Sequence, residues 1–356
     1  MTIRIPVFLL ACSLFSPYVS ADDWPRWLGS DQSADWKEAG VIEAIPDSGG
    51  IYALGAEGNL TCLDVATGKL IWSKNLPEEY NTEAPIWGYS SHPLVIGDTL
   101  YCVGGGEGSV AVAFDKNTGA EKWRALSAVE PGYAPPTLIN HAGVDQLLYW
   151  HSQALSALNP ESGEVFWSLP LKPAFGMAIM SPRKSGDYLF ASGHGRIGAL
   201  MELDSDKPGA KFVWKAKPKE GVFASNCTPY IKDDYIYGAD IDKSVLICAR
   251  LSDGKRIWQD ARPIFGTETV PGGGRHGTVF LTRNVTNGLF YLFNEIGELV
   301  IADLTPEGYT EKGRHALIEP TNEAFGRSVV WAAPAFAGKS IVVRNDKEMA
   351  RYDLSR

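Results

Sequence analysis

The sequence lacks the short motifs that mark most enzyme active sites. Its five cysteines include no adjacent pair and no Cys-x-x-Cys spacing, so a haem-attachment motif and a thioredoxin-like motif are excluded. Its six histidines include no His-x-x-x-His pair suited to zinc, and no Gly-x-Ser-x-Gly sequence marks a serine nucleophile. The sequence therefore predicts no catalytic residue and no metal ligand.

Positive charge and long hydrophobic runs are also scarce. The chain carries 33 Lys and Arg against 42 Asp and Glu, for a formal net charge of −9. An acidic protein of this kind does not favour nucleic acid or an anionic membrane surface as its partner. No apolar run after the first 21 residues is long enough to span a bilayer, so no transmembrane segment is expected.

Residues 1–21 are predicted to form a secretory signal peptide. Arg4 precedes a short apolar run at 5–15, and Val19 and Ala21 stand at the −3 and −1 positions of a cleavage site before Asp22. We therefore expect an exported protein, periplasmic or extracellular. An alternative stays open, in which residues 9–12 form a lipoprotein box and Cys12 is the lipidated residue.

Four cysteines follow this leader. Cys62, Cys102 and Cys248 lie in apolar strand patterns, where we expect buried thiols. Export permits disulfides, and Cys227 with Cys248 is a candidate pair within one stretch of the chain.

A turn followed by a tryptophan recurs along the chain. In its clearest copy Asp64, Thr67 and Gly68 are followed by Trp72. An Asp side chain can accept backbone N–H groups two residues on, and glycine adopts positive φ cheaply, so the pattern predicts a tight turn. The repeated glycines, separated by 51, 44, 46, 45 and 54 residues, are Gly68, Gly119, Gly163, Gly209, Gly254 and Gly308. This near-constant period indicates an internal repeat.

Each repeat is predicted to form four short strands, with the tryptophan on the fourth. Four-stranded units of this length arranged radially are the blades of a β-propeller. We therefore predict an all-β propeller with seven blades by count and eight as the alternative, near residues 41–76, 92–126, 136–171, 180–217, 228–263, 274–318 and 331–356. The repeated tryptophans, which we expect to dock neighbouring blades, are Trp72, Trp123, Trp167, Trp214 and Trp258.

The seventh repeat stops before its fourth strand. The mature N-terminus, residues 22–36, carries Trp24, Trp27 and Trp36 and has no repeat of its own. We predict that it returns as the outer strand of the last blade and closes the ring, because closure hides exposed sheet edges.

These repeats resemble the pyrroloquinoline-quinone-type propeller repeat, Ala-x-Asp-x-x-Thr-Gly-Lys-x-x-Trp, of quinoprotein dehydrogenases and the outer-membrane-protein assembly propeller. The resemblance covers residues 22–356 and is closest to secreted bacterial PQQ-binding-like propeller proteins. Their Trp-Pro-x-Trp start is matched at 24–27, and their Trp-Gly-Tyr-Ser segment is matched at 87–90. Members often carry more sequence before the first clear repeat, which leaves an eighth blade open.

The resemblance raises pyrroloquinoline quinone with calcium as a cofactor. In the dehydrogenases the quinone lies between a tryptophan and a disulfide of adjacent cysteines, beside a calcium ion. This chain has no adjacent cysteines, and its acidic stretches at 204–206 and 240–242 lack a calcium-loop spacing. We therefore expect a non-catalytic, monomeric binding scaffold. The alternatives are a quinone- or metal-dependent oxidoreductase of the quinoprotein dehydrogenase type and an envelope protein-assembly scaffold.

The segments that link one repeat to the next differ from each other and are rich in glycine and aromatic residues. Such links surround the channel mouth of a propeller, and variable loops on a rigid scaffold commonly carry binding sites. We expect them to bind a protein or an extracellular ligand. The candidate residues are Trp87, Tyr89, His92, Tyr133, Phe175, Asn226, Arg275, His276, Arg327 and Trp331.

Overall fold

The computed structural model describes residues 35–36, 49–224, 226–272 and 274–355. The strands, in chain order, are β1 (Asp35–Trp36), β2 (Gly50–Leu54), β3 (Asn59–Asp64), β4 (Leu70–Asn75), β5 (Leu94–Ile96), β6 (Thr99–Val103), β7 (Ala111–Asp115), β8 (Glu121–Ala125), β9 (Thr137–His141), β10 (Val144–Trp150), β11 (Ala154–Leu158), β12 (Val165–Pro170), β13 (Arg183–Ser185), β14 (Tyr188–Gly193), β15 (Ile197–Leu203), β16 (Ala210–Lys215), β17 (Tyr230–Lys232), β18 (Tyr235–Asp240), β19 (Val245–Arg250), β20 (Arg256–Asp260), β21 (Val279–Asn284), β22 (Phe290–Asn294), β23 (Glu298–Thr305), β24 (Gly308–Ala316), β25 (Asn322–Ala324), β26 (Arg327–Val329), β27 (Ala335–Ala337), β28 (Ser340–Arg344) and β29 (Met349–Asp353). Two short helices, α1 (Leu76–Tyr80) and α2 (Arg262–Phe265), and a 3-10 turn at Ala174–Gly176 lie in the links.

Seven antiparallel sheets, each built from consecutive strands, follow one another along the described part of the chain. They are β2–β4, β5–β8, β9–β12, β13–β16, β17–β20, β21–β24 and β27–β29. The hairpin β25–β26 stands between the sixth and seventh sheets. The prediction of a seven-bladed, all-β propeller is confirmed, which decides against eight blades.

The predicted ring closure concerns the start of the chain. Residues 1–34, with the predicted leader, Cys12 and most of the closing segment, lie outside the described residues. The described pair Asp35–Trp36 forms β1, which runs parallel to β21 in the sixth sheet. The prediction that residues 22–36 join the seventh sheet is therefore wrong for these two residues, because their backbone pairs with the edge strand β21 of the sixth sheet. For residues 22–34 closure stays a prediction.

The repeated turn forms as its sequence predicts. Oδ1 of Asp64 accepts hydrogen bonds from the backbone N–H of Thr67 at 2.8 Å and from its hydroxyl at 2.6 Å. Gly68 follows with φ +67°, a conformation in which a side chain would be strained. These hydrogen bonds lower the pKa of the Asp64 carboxyl.

Four of the five repeated tryptophans contact the turn of the next sheet. Nε1 of Trp72 donates to the carbonyl of Lys116 at 3.0 Å, and its ring lies against Gly119 so closely that a Cβ there would be 2.9 Å from Cδ2. Trp123 donates to Pro160 and covers Gly163 in the same way. Each indole therefore joins two neighbouring sheets at their turns.

Two more tryptophans repeat this contact and one departs from it. Trp214 donates to the carbonyl of Leu251 at 2.9 Å, and Trp258 donates to that of Thr305 at 2.8 Å. Trp167 donates to Oε1 of Gln146, within its own sheet, at 2.8 Å. The turn that it would meet, between β15 and β16, holds Gly209 against Asp204 rather than against an indole.

Strand direction gives the propeller two different faces. In each four-stranded sheet the link into the first strand and the connection between the second and third strands lie at one end, which we name the loop face. The Asp-to-Gly turns between the third and fourth strands lie at the opposite end, the turn face. All ten candidate binding residues lie in links between sheets, at the loop face.

The cysteine prediction needs a correction. The four cysteines of the described residues are buried free thiols, so the candidate pairing of Cys227 with Cys248 is wrong. Cys248 lies in β19 beside the side chain of Tyr237, whereas Cys227 faces the backbone of Ala239 and Val279. Burial raises the pKa of both thiols to about 11. No helix in the described ranges is long and apolar enough to cross a membrane.

Candidate functional site

The links between sheets surround a cavity of about 770 Å³ at the loop face. Residues at the starts of first strands border it, together with Leu54 at the end of β2 and Arg344 at the end of β28. Of the ten candidate residues, five line this cavity: Tyr89, His92, Tyr133, Asn226 and Trp331. Its wall therefore combines aromatic rings, an amide, an imidazole and one guanidinium.

Two tyrosines in this wall carry buried hydroxyl groups. Tyr89 and Tyr133 are each 4% exposed, and neither hydroxyl has a hydrogen-bond partner among the described residues. Burial raises the pKa of Tyr89 to about 12 and shifts the pKa of Tyr133 in the same direction. Both remain phenols at neutral pH and can donate to an incoming acceptor. The half-exposed ring of Trp87 packs edge-on against Tyr133, with 5.8 Å between ring centroids.

A fully buried carboxylate organises the side of the cavity near the seventh sheet. Glu295, which follows β22, accepts hydrogen bonds from Nε of Arg327 at 2.7 Å and from Nε1 of Trp331 at 3.0 Å. The backbone N–H of Thr278 also donates to it at 3.0 Å. The three bonds stabilise the buried charge, which would be strongly unfavourable without partners. The bonds to Arg327 and Trp331 also fix these two candidate side chains.

Five rings form a continuous row along the loop face. The centroids are 5.7 Å apart between Phe175 and His194, 5.5 Å between His194 and His276, 4.8 Å between His276 and Phe325, and 6.5 Å between Phe325 and Trp331. We name these five residues the ring row. The row joins links and connections that belong to the fourth to seventh sheets.

The two candidate arginines have different surroundings. The Arg327 guanidinium is ion-paired with Glu295 and also donates to the backbone carbonyl of Arg275 at 2.5 Å. The Arg275 guanidinium lies over the ring of Phe325, 5.4 Å from its centroid. Arg275 is exposed and has no carboxylate partner among the described residues.

Sequence reasoning missed four residues of this face: Glu295, His194, Phe325 and Arg344. Glu295, His194 and Arg344 lie at the ends of second strands or just after them, and only the links between sheets were considered. A charged residue directly after the apolar run of β22 was the available signal for Glu295. Phe325 lies between the sixth and seventh sheets, in the same link as the candidates Arg327 and Trp331.

Comparison with known proteins identifies the family. The family model described as outer membrane protein assembly factor BamB matches residues 24–260, more than half of the chain, and the chain belongs to this family. It is 26% identical over 253 residues to the BamB of Burkholderia pseudomallei, covering 67% of this chain and 57% of the relative. It is 29% identical over 162 residues to the quinoprotein ethanol dehydrogenase of Pseudomonas aeruginosa, covering 41% of this chain and 25% of the relative. The chain thus spans about half the length of the curated BamB relatives and less of the dehydrogenase.

Solved structures share the fold. BamB from Moraxella catarrhalis superposes with a TM-score of 0.54 at 13% identity, covering 86% of this chain and 81% of that one. A europium-containing methanol dehydrogenase gives 0.53 at 10% identity, covering 87% and 75%. Identities this low establish the propeller architecture and leave function to the site itself.

The residues present do not fit the quinone and calcium of the dehydrogenases. The buried carboxylates at the loop face are already bonded: Glu295 as described above, and Asp240 to Arg256 at 2.6 Å and to two backbone N–H groups. No group of three or more His, Cys, Asp or Glu side chains within the described ranges is placed to hold a metal ion. The chain also has no adjacent cysteines.

Proposed function

We propose that this protein is a non-catalytic binding propeller of the bacterial envelope, which uses its loop face to hold a protein partner during outer-membrane protein assembly. Membership of the BamB family supports a role in outer-membrane protein assembly, and the exposed apolar side chains of the loop face support the binding of a protein partner. The proposal includes export by the predicted leader.

The observation that carries the proposal is the exposure of large apolar side chains on this face. Ile86 is 69% exposed, Trp87 53% and Val129 89%, and all three lie in links between sheets. Exposed apolar groups clustered on one surface mark protein interaction sites.

Buried residues form the floor of this surface. The ion pair of Glu295 and Arg327 and the buried tyrosines hold the links rigidly, which lowers the entropy lost when a partner binds. None of these groups is arranged as an acid–base pair or as a nucleophile with its base.

Site-specific photocrosslinking in the native cells tests the proposal. A benzophenone side chain replaces Trp87 or Val129 on the loop face, and Ile71 or Val213 on the outer strands as matched exposed controls. We expect both loop-face positions, but neither control, to capture the same outer-membrane assembly protein, identified by mass spectrometry.

Two outcomes contradict the proposal. One is equal capture from the outer strands, or no capture from the loop face of a correctly exported protein. The other is catalytic turnover: dye reduction by the purified protein supplied with pyrroloquinoline quinone and calcium would overturn the non-catalytic role.

A further inference from the structure

The ring row is held by backbone conformations that non-glycine residues rarely adopt. Phe175, His276 and Phe325 have φ values of +57°, +57° and +52°. The left-handed region is unfavourable for an L-residue because Cβ comes too close to the following carbonyl oxygen. Strained residues of this kind cluster at functional sites, where the surrounding structure over-determines them. Here the strain presents rings to solvent, since Phe175 is 68% exposed and Phe325 47%.

The row is polar as well as aromatic. Nδ1 of His194 is buried and has no hydrogen-bond partner among the described residues. Desolvation, the neighbouring His194 and the nearby arginines lower the pKa of His276 to about 4, so this imidazole is neutral at neutral pH. The two neighbouring imidazoles, whose rings are tilted by 34°, therefore add hydrogen-bonding nitrogens to the row.

Arg275 supplies a positive charge beside the row. Its guanidinium lies over Phe325, while the neighbouring Arg327 is neutralised by Glu295. An exposed guanidinium stacked on a ring leaves its N–H groups free to bind a carboxylate. Charge complementarity therefore selects an anionic ligand, although the protein itself is acidic.

The spacing of the row fits an extended polypeptide. Its ring centroids are 4.8 to 6.5 Å apart. Side chains on one face of an extended strand recur about every 6.6 Å, because each residue rises about 3.3 Å. Alternate side chains of such a segment can each meet one ring.

We propose that the ring row binds an extended, acidic polypeptide segment of the protein partner, with a carboxylate on Arg275 and aromatic side chains against Phe325 and the neighbouring rings. This inference rests on the proposed function and names the chemistry that the loop face recognises. It places recognition between the fourth and seventh sheets.

Fluorescence anisotropy with synthetic peptides tests the inference on the mature chain. The probe is a labelled peptide of alternating Asp and Phe, which places every ring on one face of an extended chain. The comparison peptides alternate Lys with Phe and Asp with Ala. We expect the Asp/Phe peptide to bind most tightly and its affinity to fall as salt is raised.

Two substitutions and a matched control locate the contact. Arg275→Gln should weaken binding about fivefold, as for one exposed ion pair, and Phe325→Ala about tenfold, as for one aromatic contact. Arg124→Gln removes another guanidinium that lies over a ring, that of Tyr80, but on β8, and should leave binding unchanged. Circular dichroism confirms that each variant is folded.

Equal binding of the Lys/Phe peptide, or equal affinities of the Arg275 and Arg124 variants, would overturn the inference. So would binding of dextran sulfate, a polyanion without peptide groups, in place of the peptide. If crosslinks from Trp87 and Val129 persist while the peptides fail, this inference is wrong and the proposed function stands. If the peptides bind and the crosslinks fail, the ring row binds acidic peptides and the proposed function is wrong.

Discussion

Replacing Gly163 by Ala would place a Cβ atom 2.6 Å from Cε3 and 2.8 Å from Cδ2 of Trp123. Carbon atoms do not approach this closely, so either the indole or the turn must move. Trp123 is 8% exposed and donates its N–H to Pro160 at 3.0 Å, in the same turn as Gly163. The substitution therefore disturbs the contact that joins the second and third sheets.

The expected loss of stability has three parts. Gly163 has φ +74°, and a side chain in this conformation costs about 1–2 kcal/mol. Displacing the packed indole adds about 1–3 kcal/mol of overpacking, and the weakened indole hydrogen bond adds about 1 kcal/mol. We expect a total of roughly 3–6 kcal/mol.

Gly288 provides a matched control. It ends a turn of the same kind, in which Oδ1 of Asn284 accepts two backbone N–H groups, and its φ is +77°. No described atom lies within 4 Å of a Cβ built there. Gly288→Ala should therefore cost only the conformational part, about 1–2 kcal/mol.

Urea unfolding followed by circular dichroism measures these differences. In a Trp123→Ala background the clash is absent, so Gly163→Ala should then cost no more than Gly288→Ala does, a coupling of about 2 kcal/mol or more. Equal losses for the two glycine variants in the wild-type background would refute the role assigned to the indole.

Three further predictions follow from the same structure. If residues 22–34 close the ring, one of their indoles covers Gly68. Gly68→Ala should then lower the free energy of unfolding as much as Gly163→Ala does, whereas a loss equal to that of Gly288→Ala would contradict closure. Glu295→Gln leaves Arg327 without its buried counter-charge and should lower the free energy of unfolding by about 3–5 kcal/mol, against less than about 1 kcal/mol for Glu202→Gln at a surface pair. Burial lowers the pKa of His151 to about 4, whereas this pKa is about 6.5 in the unfolded chain. As the pH falls, the unfolded state therefore binds the proton at a higher pH than the folded state does. Stability should fall by up to about 3 kcal/mol between pH 6.5 and 4, and His151→Asn should remove that part of the slope in urea titrations.

The turn face could be predicted from the sequence because its determinants are local. Asp64 bonds Thr67 three residues on, and Gly68 completes the turn, so the motif carries its own geometry. The exception is equally local. The turn that begins at Asp204 closes with the same backbone hydrogen bond as the others, to the carbonyl five residues on, but its glycine stands one position later. Gly209 therefore faces its own aspartate, and Trp167 donates to Gln146 instead.

The site could be predicted only in part because its contacts are not local. The links were expected to meet at the channel mouth, and five of the candidate residues do line one cavity. Glu295 meets Arg327 across 32 residues of sequence, and His194 meets His276 only because the sheets are arranged in a ring. No spacing rule within one repeat gives either pair. The ring row therefore emerges from the architecture and not from a motif.

Conformational preference separates the repeated Asp-to-Gly turns from the ring row in a way that bears on function. On the turn face, the positive φ angles of Gly68, Gly119 and Gly163 fall on glycine, where they cost little. On the loop face, Phe175, His276 and Phe325 adopt similar angles as bulky residues. Glycine at those positions would relieve the strain and remove the rings. A fold that needed these links only as connections would have no physical reason to keep an exposed ring in a strained backbone, whereas a surface that binds a partner through those rings does.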